Sequence, residues 1–246
     1  MQSHHSRNAA LAGTAERILA IADSQNVKLR ILGGLGIYLK CTDFQTLLDK
    51  YREPLSDIDL VCLSKDIESV EKAIVFLGYK QNTSWKMHFG YQRRIFYTPE
   101  EITVEIYLDK LYLCQEIDLR SYLDVDSPTL SPTELFLSRI QRVKLAPKDI
   151  FDLGVLLTAK DLGIGGPDTI DLGRVASLTA VSWPWWKTIH DNLNLLLSAL
   201  PPVLNSELLR SRLLGLSGAI EQAQKSLGWK MRALVGPRIQ WYANVE

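Results

Sequence analysis

The chain has 246 residues, with 28 Lys and Arg balancing 28 Asp and Glu, 46% hydrophobic residues and a mean hydropathy of -0.01. These values exclude a disordered, collagen-like or disulfide-scaffolded chain, and zero formal charge removes any long-range pull toward nucleic acid, so a polyanion would need a local basic patch. Cys41, Cys62 and Cys114 are odd in number and lack C-x-x-C spacing, which indicates neither a disulfide framework nor a zinc site and leads us to expect a reducing, cytoplasmic setting.

Arg7, Glu16 and Arg17 interrupt the first residues, so no signal-peptide run is present there. The longest apolar stretch, near 193–200, ends at Pro201-Pro202 and is far short of the ~20 residues that cross a bilayer, so no membrane span is expected. Residues 9–25 place Leu11, Ala15, Ile18, Leu19 and Ile21 near helical spacing and predict an amphipathic helix. VKLRIL (27–32) predicts a strand that runs into Gly33-Gly34 and a helical LGIYLKC. IDLVCL (58–63) predicts an apolar strand, and 66–79 a helix ending near Gly78. Three strand-like pieces follow: KQNTSWKMHF, YQRRIFYT and ITVEIYL, divided by Gly90 and a Pro99-Glu100-Glu101 turn. From about residue 130 the pattern turns helical, starting with the capping-box sequence Ser131-Pro-Thr-Glu134. Breaks fall at 163–167 and 201–202. The expected fold class is therefore α/β (α+β): a mixed-sheet domain over 1–125, then an all-helical C-terminal domain over 126–246.

The sharpest motif is Ser56-Asp57-Ile58-Asp59-Leu60. Strand side chains alternate, so Asp57 and Asp59 share a face. Two carboxylates held together repel unless a cation lies between them, and an oxygen-rich pair suits Mg²⁺ or Mn²⁺. Glu105, inside TVEIYL, shares a face with Tyr107 and Asp109, and a neighbouring strand ~4.8 Å away would bring it to the same ions. Asp109, two steps along, is the weaker candidate. Gly33-Gly34 at a helix start offers backbone N–H groups to phosphate, although G-G-L-G has neither the P-loop lysine nor dinucleotide-motif spacing.

The order LGGLGIYL, SDIDLV, TVEIYL resembles the nucleotidyltransferase superfamily, which has a polymerase-β-like fold. REPLSDIDL (52–60) and TLSPTELFLSRIQRVKLAPKDIFDL (129–153) look like AbiEii-type bacterial nucleotidyltransferases, many of which are toxins of toxin–antitoxin systems. The tail KSLGWKMRALVGPRIQWY (225–242) is similar to tails of bacterial proteins described only as nucleotidyltransferase-like. The resemblance implies that Gly33, Gly34 and Ser56 hold a nucleoside triphosphate (NTP), and that Asp57, Asp59 and Glu105 hold metal and act catalytically. It implies phosphate contact at Arg139, where the family pattern has lysine, or at Lys144, and a matching helix-start acid at Asp149 beside Asp152. The longer interval from Gly34 to Asp57 implies an extra loop near 42–54. The implied activity is metal-dependent transfer of a nucleoside monophosphate to a hydroxyl of RNA, protein or a small molecule, with an antitoxin as partner in the toxin case.

Plainer readings stand beside these. Asp57 and Asp59 also suit a strand-start turn, Glu105 a solvated edge strand, and Asp149 with Asp152 a helix N-terminus where acids meet the dipole. Arg139 and Arg142 also suit the wet face of a helix. His4 and His5 are expected in a disordered, inert start, and His88 and His190 have no spaced partner. Trp183-Pro184-Trp185-Trp186 reads as a helix-start core cluster before it reads as a base-stacking surface. Lys225, Lys230, Arg232 and Arg238 interleave with Trp229, Trp241 and Tyr242, as a solvated helix or a small RNA platform would. The competing function is a catalytically inactive nucleotide-binding or scaffold protein of the same fold, supported by Arg139 in place of lysine. A D-x-D phosphohydrolase is less apt, because its acids follow an apolar strand whereas Asp57 and Asp59 open one.

Overall fold

The computed structural model describes residues 4–244; residues 1–3 and 245–246, at the ends of the two expected domains, lie outside that description. Two compact units are present. One runs through Leu111 and takes in Ile117–Leu130; the other is Tyr112–Glu116 together with the chain from Ser131 onward. The architecture is the expected mixed α/β sheet followed by helices, and none of the described helices is long and apolar enough to cross a membrane.

The first unit begins with α1 (His4–Ser24), which buries Leu11, Ala15, Ile18, Leu19 and Ala22 along one stripe. His4 and His5 therefore lie in a helix and not in a disordered start. His5 Nδ1 is 2.8 Å from Asp49 Oδ2, and Asn8 donates to Asp49 Oδ1 at 2.8 Å. The chain continues through β1 (Arg30–Leu32) and α2 (Gly33–Lys40), as the glycine turn predicts. The expected extra loop is instead mostly helical: a short 3-10 turn, Thr42–Phe44, leads into α3 (Gln45–Tyr51). Leu48 is the buried residue of α3, and Asp49, which meets α1, is also within reach of the Tyr38 hydroxyl at 3.3 Å.

β2 (Asp57–Cys62) and α4 (Ile67–Phe76) follow, with Gly78 just after the helix at φ +83°, the left-handed conformation that suits a helix end. β3 is only Lys80–Gln81. The rest of KQNTSWKMHF is not a strand, because α5 (Thr83–Phe89) takes it over: the Asn82 side chain accepts from the Trp85 N–H at 2.9 Å and caps the helix. β4 (Arg93–Tyr97) and β5 (Thr103–Leu108) complete the sheet. Its order is β1-β2-β5-β4-β3, with β2 and β5 parallel and the other neighbours antiparallel. Glu105 therefore sits on the central strand, not on an edge.

Alternation gives the sheet two unlike faces. Ile31, Ile58, Leu60, Phe96, Val104 and Ile106 form a fully buried apolar face. Arg94 shares it and ion-pairs with Glu71 of α4. The opposite face carries Asp57, Asp59, Glu105, Tyr107 and Arg93.

Two short strands, β6 (Lys110–Tyr112) and β7 (Glu116–Asp118), pair where the chain passes between units. In the second unit α6 (Pro132–Ile140) and α7 (Pro147–Ala159) match the predicted helices. Ser131 caps α6 through the Glu134 N–H at 3.4 Å, but the Glu134 carboxylate meets Arg174 at 3.2 Å instead of completing the capping box. The break near 163–167 holds two strands that the helical pattern conceals, β8 (Asp161–Gly163) and β9 (Thr169–Asp171), paired in parallel. Then come α8 (Leu172–Val181), α9 (Trp183–Ala199), α10 (Glu207–Gln222) and α11 (Leu227–Val235). Leu153, Leu157, Ile189, Leu193, Leu213 and Ile220 are among the fully buried residues of this unit. Trp183 and Trp185 are buried at the start of α9, as a core cluster requires.

Candidate functional site

The polar face of the first unit is built by register. Parallel pairing puts Asp59 directly opposite Glu105 and Asp57 opposite Thr103, so the three acids lie on one side of two adjacent strands. Leu32, the last residue of β1, is opposite Asp59. The chain turns at this point into α2, and Gly33 adopts φ +68°. A Cβ on Gly33 would overlap the Asp59 Oδ2 atom and lie 3.0 Å from its Cγ. The glycine is thus required twice, by its backbone conformation and by the carboxylate that fills the space above it. Gly34 lies buried in the first turn of α2, whose N-cap residue, Leu32, provides no side-chain cap. The first amides of α2 therefore begin beside Asp59. Ser56 and Asp57 are exposed at the mouth of β2, while Asp59 and Glu105 are half-buried.

Glu105 has a further set of partners. Arg93, opposite Tyr107 on β4, places its Nη1 2.7 Å from Glu105 Oε2 and 3.2 Å from the Tyr107 hydroxyl. Tyr107 itself donates to Glu105 Oε2 at 3.1 Å. Burial, reinforced by the negative charges of Asp59 and Glu105, raises the Tyr107 phenol far above its ordinary range, so it remains a neutral donor. The Arg93 guanidinium also lies over the Trp85 ring, 4.4 Å from its centroid, and 5.7 Å from that of Tyr107. Trp85 in turn meets Phe89 at 4.7 Å along α5.

Whether these residues suit a divalent cation depends on the donor. Asp57 and Asp59 are hard oxygen ligands on one strand face, and Asp59 Oδ2 packs against Gly33. They fit an ion. Glu105 Oε2 is held by Arg93 and Tyr107. Among the described residues no group of three or more His, Cys, Asp and Glu side chains is gathered in a way that can hold a metal. Asp109 is not part of this face either: at φ +60° it forms a turn, and its carboxylate accepts from the Ser64 N–H at 3.0 Å.

The remaining candidates lie in the second unit. Arg139 is buried with two carboxylates, at 3.1 Å from Asp149 Oδ1 and 3.0 Å from Asp152 Oδ2. Asp149 also accepts from the Ala146 N–H at 3.0 Å, which closes the first turn of α7. These residues form an internal ion cluster, and they match the structural reading of Asp149 and Asp152 and not the wet-face reading of Arg139. Lys144 is exposed in the loop between α6 and α7. In the tail, Lys225 lies 5.6 Å from the Trp229 centroid, and Arg232 lies 4.6 Å from that of Trp183 and donates to the Ile239 carbonyl at 2.8 Å. Two of the four tail cations are therefore engaged within the unit.

No protein-family model matches the sequence, and no curated protein matches it. Solved structures show a distant likeness to the chain, among them those that follow. The antibiotic-resistance factor ANT(2'')-Ia, determined in solution, is 15% identical over 62% of this chain and 84% of its own, with a TM-score of 0.42. The same factor crystallised with adenylyl-2''-tobramycin gives 16% identity over 61% and 88%, with a TM-score of 0.41. An antigenic nucleotidyltransferase-like protein from Paracoccidioides brasiliensis gives 14% over 89% and 94%, with a TM-score of 0.34.

Arg93 and Trp85 are the site residues that motif reading does not assemble, whereas Tyr107 shares the face of Glu105 as the strand alternation predicts. Arg93 and Arg94 are adjacent, so alternation sends them to opposite faces, but only the β4–β5 register shows which one meets Glu105.

Proposed function

We propose that the first unit binds a nucleoside triphosphate on its polar sheet face and transfers the nucleoside monophosphate to a hydroxyl acceptor. The observation that carries this reading is the packing of Asp59 against the side-chain-free Gly33, at the point where α2 begins and with Glu105 alongside. An acidic pair next to uncapped helix amides is suited to a polyphosphate accompanied by a cation, and to little else. Asp57 and Asp59 would hold Mg²⁺ or Mn²⁺, which supplies positive charge against the triphosphate. Gly33, Gly34 and Ser56 orient the phosphates through backbone N–H groups and the serine hydroxyl. The acceptor oxygen bonds to the α-phosphorus, the bond to pyrophosphate breaks, and the hydroxyl proton leaves to solvent or a nearby carboxylate.

Calorimetric titration with Mg²⁺ and each of the four NTPs tests the site: binding should be measurable and should vanish in Asp57→Ala/Asp59→Ala. Binding that survives this double substitution would place the nucleotide elsewhere. A second reading, nucleotide binding without turnover, is favoured by the Arg93–Glu105 pair, which occupies a carboxylate that chemistry would use. Pyrophosphate release in the presence of RNA, protein and small-molecule acceptors separates the two. The AbiEii-like stretches extend the first reading to a toxin neutralised by an antitoxin. In that case expression arrests bacterial growth and the double Asp variant does not.

A further inference from the structure

We propose that α11 is a docking ridge for an anionic lipid bilayer surface, which its exposed aliphatic stripe enters while Lys230 and Arg238 meet the headgroups. The inference goes beyond the nucleotidyl-transfer reading and is independent of it, since every residue it uses lies in the second unit.

α11 carries its most apolar side outward. Leu227, Met231, Leu234 and Val235 recur at i, i+4, i+7 and i+8, the spacing that seats a helix on a core. Yet no residue of α11 is buried, and the first three of these side chains are 78%, 66% and 83% exposed. The opposite side is the one held against the unit. Trp229 meets Trp186 at 5.3 Å, and Arg232 lies 4.6 Å from the Trp183 centroid and donates to the carbonyls of Gly236 at 2.6 Å and Ile239 at 2.8 Å. Turning the stripe inward would break these contacts, so it stays in solvent. The Ser226 N–H donates to the Ala180 carbonyl at 3.0 Å, which sets exposed Val181 beside the start of α11.

Charge and size decide what covers the stripe. Lys230 borders it and Arg238 follows its end, both exposed, and no Asp or Glu occurs between Glu221 and Glu246. A second copy laid on the stripe would bring like charges together with no acid in the segment to offset them. RNA would need exposed rings on which to stack its bases, whereas Trp229 and Trp241 are half-buried and the stripe is aliphatic. Nine residues make a ridge about 14 Å long and ~10 Å wide, which offers far less than the ~800 Å² per partner of a stable protein interface. A bilayer needs no matching groove. Its interfacial zone takes up short aliphatic ridges, and its anionic headgroups attract the lysine and arginine at their border.

The test is flotation of the full chain with vesicles of phosphatidylcholine, alone or mixed with phosphatidylglycerol, at low and high salt. The wild type should bind the mixed vesicles at least tenfold more tightly than phosphatidylcholine alone, and should loosen as salt rises. Leu227→Ser/Met231→Ser/Leu234→Ser should weaken binding to the mixed vesicles at least tenfold with unchanged circular dichroism, because these side chains support no core. Lys230→Gln/Arg238→Gln should erase the preference for the mixed vesicles. Phe76→Ser, which removes a 90% exposed ring from the first unit, should float as the wild type does. No flotation, no lipid preference, full binding by the triple variant or an equal loss in Phe76→Ser would each overturn the inference. So would a wild-type dimer that the triple substitution dissolves. RNA or an acidic, leucine-bearing peptide that binds more tightly than the mixed vesicles, and is lost in the triple variant, would overturn it by assigning the ridge to that partner.

Discussion

Replacing Gly33 with alanine asks an L-residue to hold φ +68° and drives a methyl carbon into the Asp59 carboxylate. The backbone alone costs about 1–2 kcal/mol, and relief of the overlap requires Asp59 to leave the position in which it faces the start of α2. Gly33→Ala should therefore lower stability in urea unfolding and weaken nucleotide binding at least tenfold, both read on the same preparation. A variant that binds nucleotide as the wild type does would remove the glycine from the site. The sequence points to both members of this pair, since a glycine turn and a D-x-D strand are local patterns. What it does not contain is their mutual contact, which follows from the antiparallel pairing of Leu32 with Asp59. Arg93 is less legible still. Two adjacent arginines in YQRRIFYT look alike in sequence, yet one meets Glu105 and the other Glu71.

At the level of elements, helix periodicity and glycine turns predict α1, α2, α4, α6 and α7 to within a few residues. The sequence misleads where side-chain capping overrides strand-like composition, as in α5, and where a short strand hides between helices, as in β8 and β9. Contacts between elements also set the titration of half-buried Glu71 and buried Glu134, with opposite signs. Burial raises the Glu71 pKa, but hydrogen bonds from Lys86, Arg94 and Gln81 outweigh it and hold the carboxyl below its usual range. Its contribution to stability is thus present above the unfolded value of about 4.3 and is lost as pH falls through the folded one. Burial raises Glu134, and Arg174 only partly offsets this. Its contribution is present below the unfolded value and is lost as pH rises through the folded one. In thermal melting from pH 3 to 8, Glu71→Gln should flatten the acid side of the stability profile. Glu134→Gln should leave neutral-pH stability unchanged or higher. A loss at neutral pH in Glu134→Gln as large as that in Glu71→Gln would contradict this assignment.

For the whole molecule, the chain divides its residues between two units that are not two simple halves. Tyr112–Glu116 belongs with the helices from Ser131 onward: the Gln115 N–H donates to Gln141 Oε1 at 2.7 Å, and the Cys114 carbonyl accepts from the Ala243 N–H at 3.0 Å. Within this second unit the Arg139 cluster is a matter of stability. Arg139→Ala leaves the carboxylates of Asp149 and Asp152 buried without their cation and should cost about 3–5 kcal/mol in denaturant unfolding. Unchanged stability together with a loss of nucleotide affinity would instead support the phosphate contact that the sequence resemblance implies.

The sequence by itself determined the mixed sheet followed by helices, the glycine turn and the paired acids of the D-x-D strand. These depend on residue order over a few positions, on local propensity and on the two-residue alternation of a strand. Only the tertiary structure decided that Glu105 lies beside Asp59 on a central strand, that Arg93 and Tyr107 hold its carboxylate, and that Arg139 is buried between two acids. Those facts depend on which strands pair, in which direction and in which register, and a one-residue slip would send every one of these side chains to the opposite face.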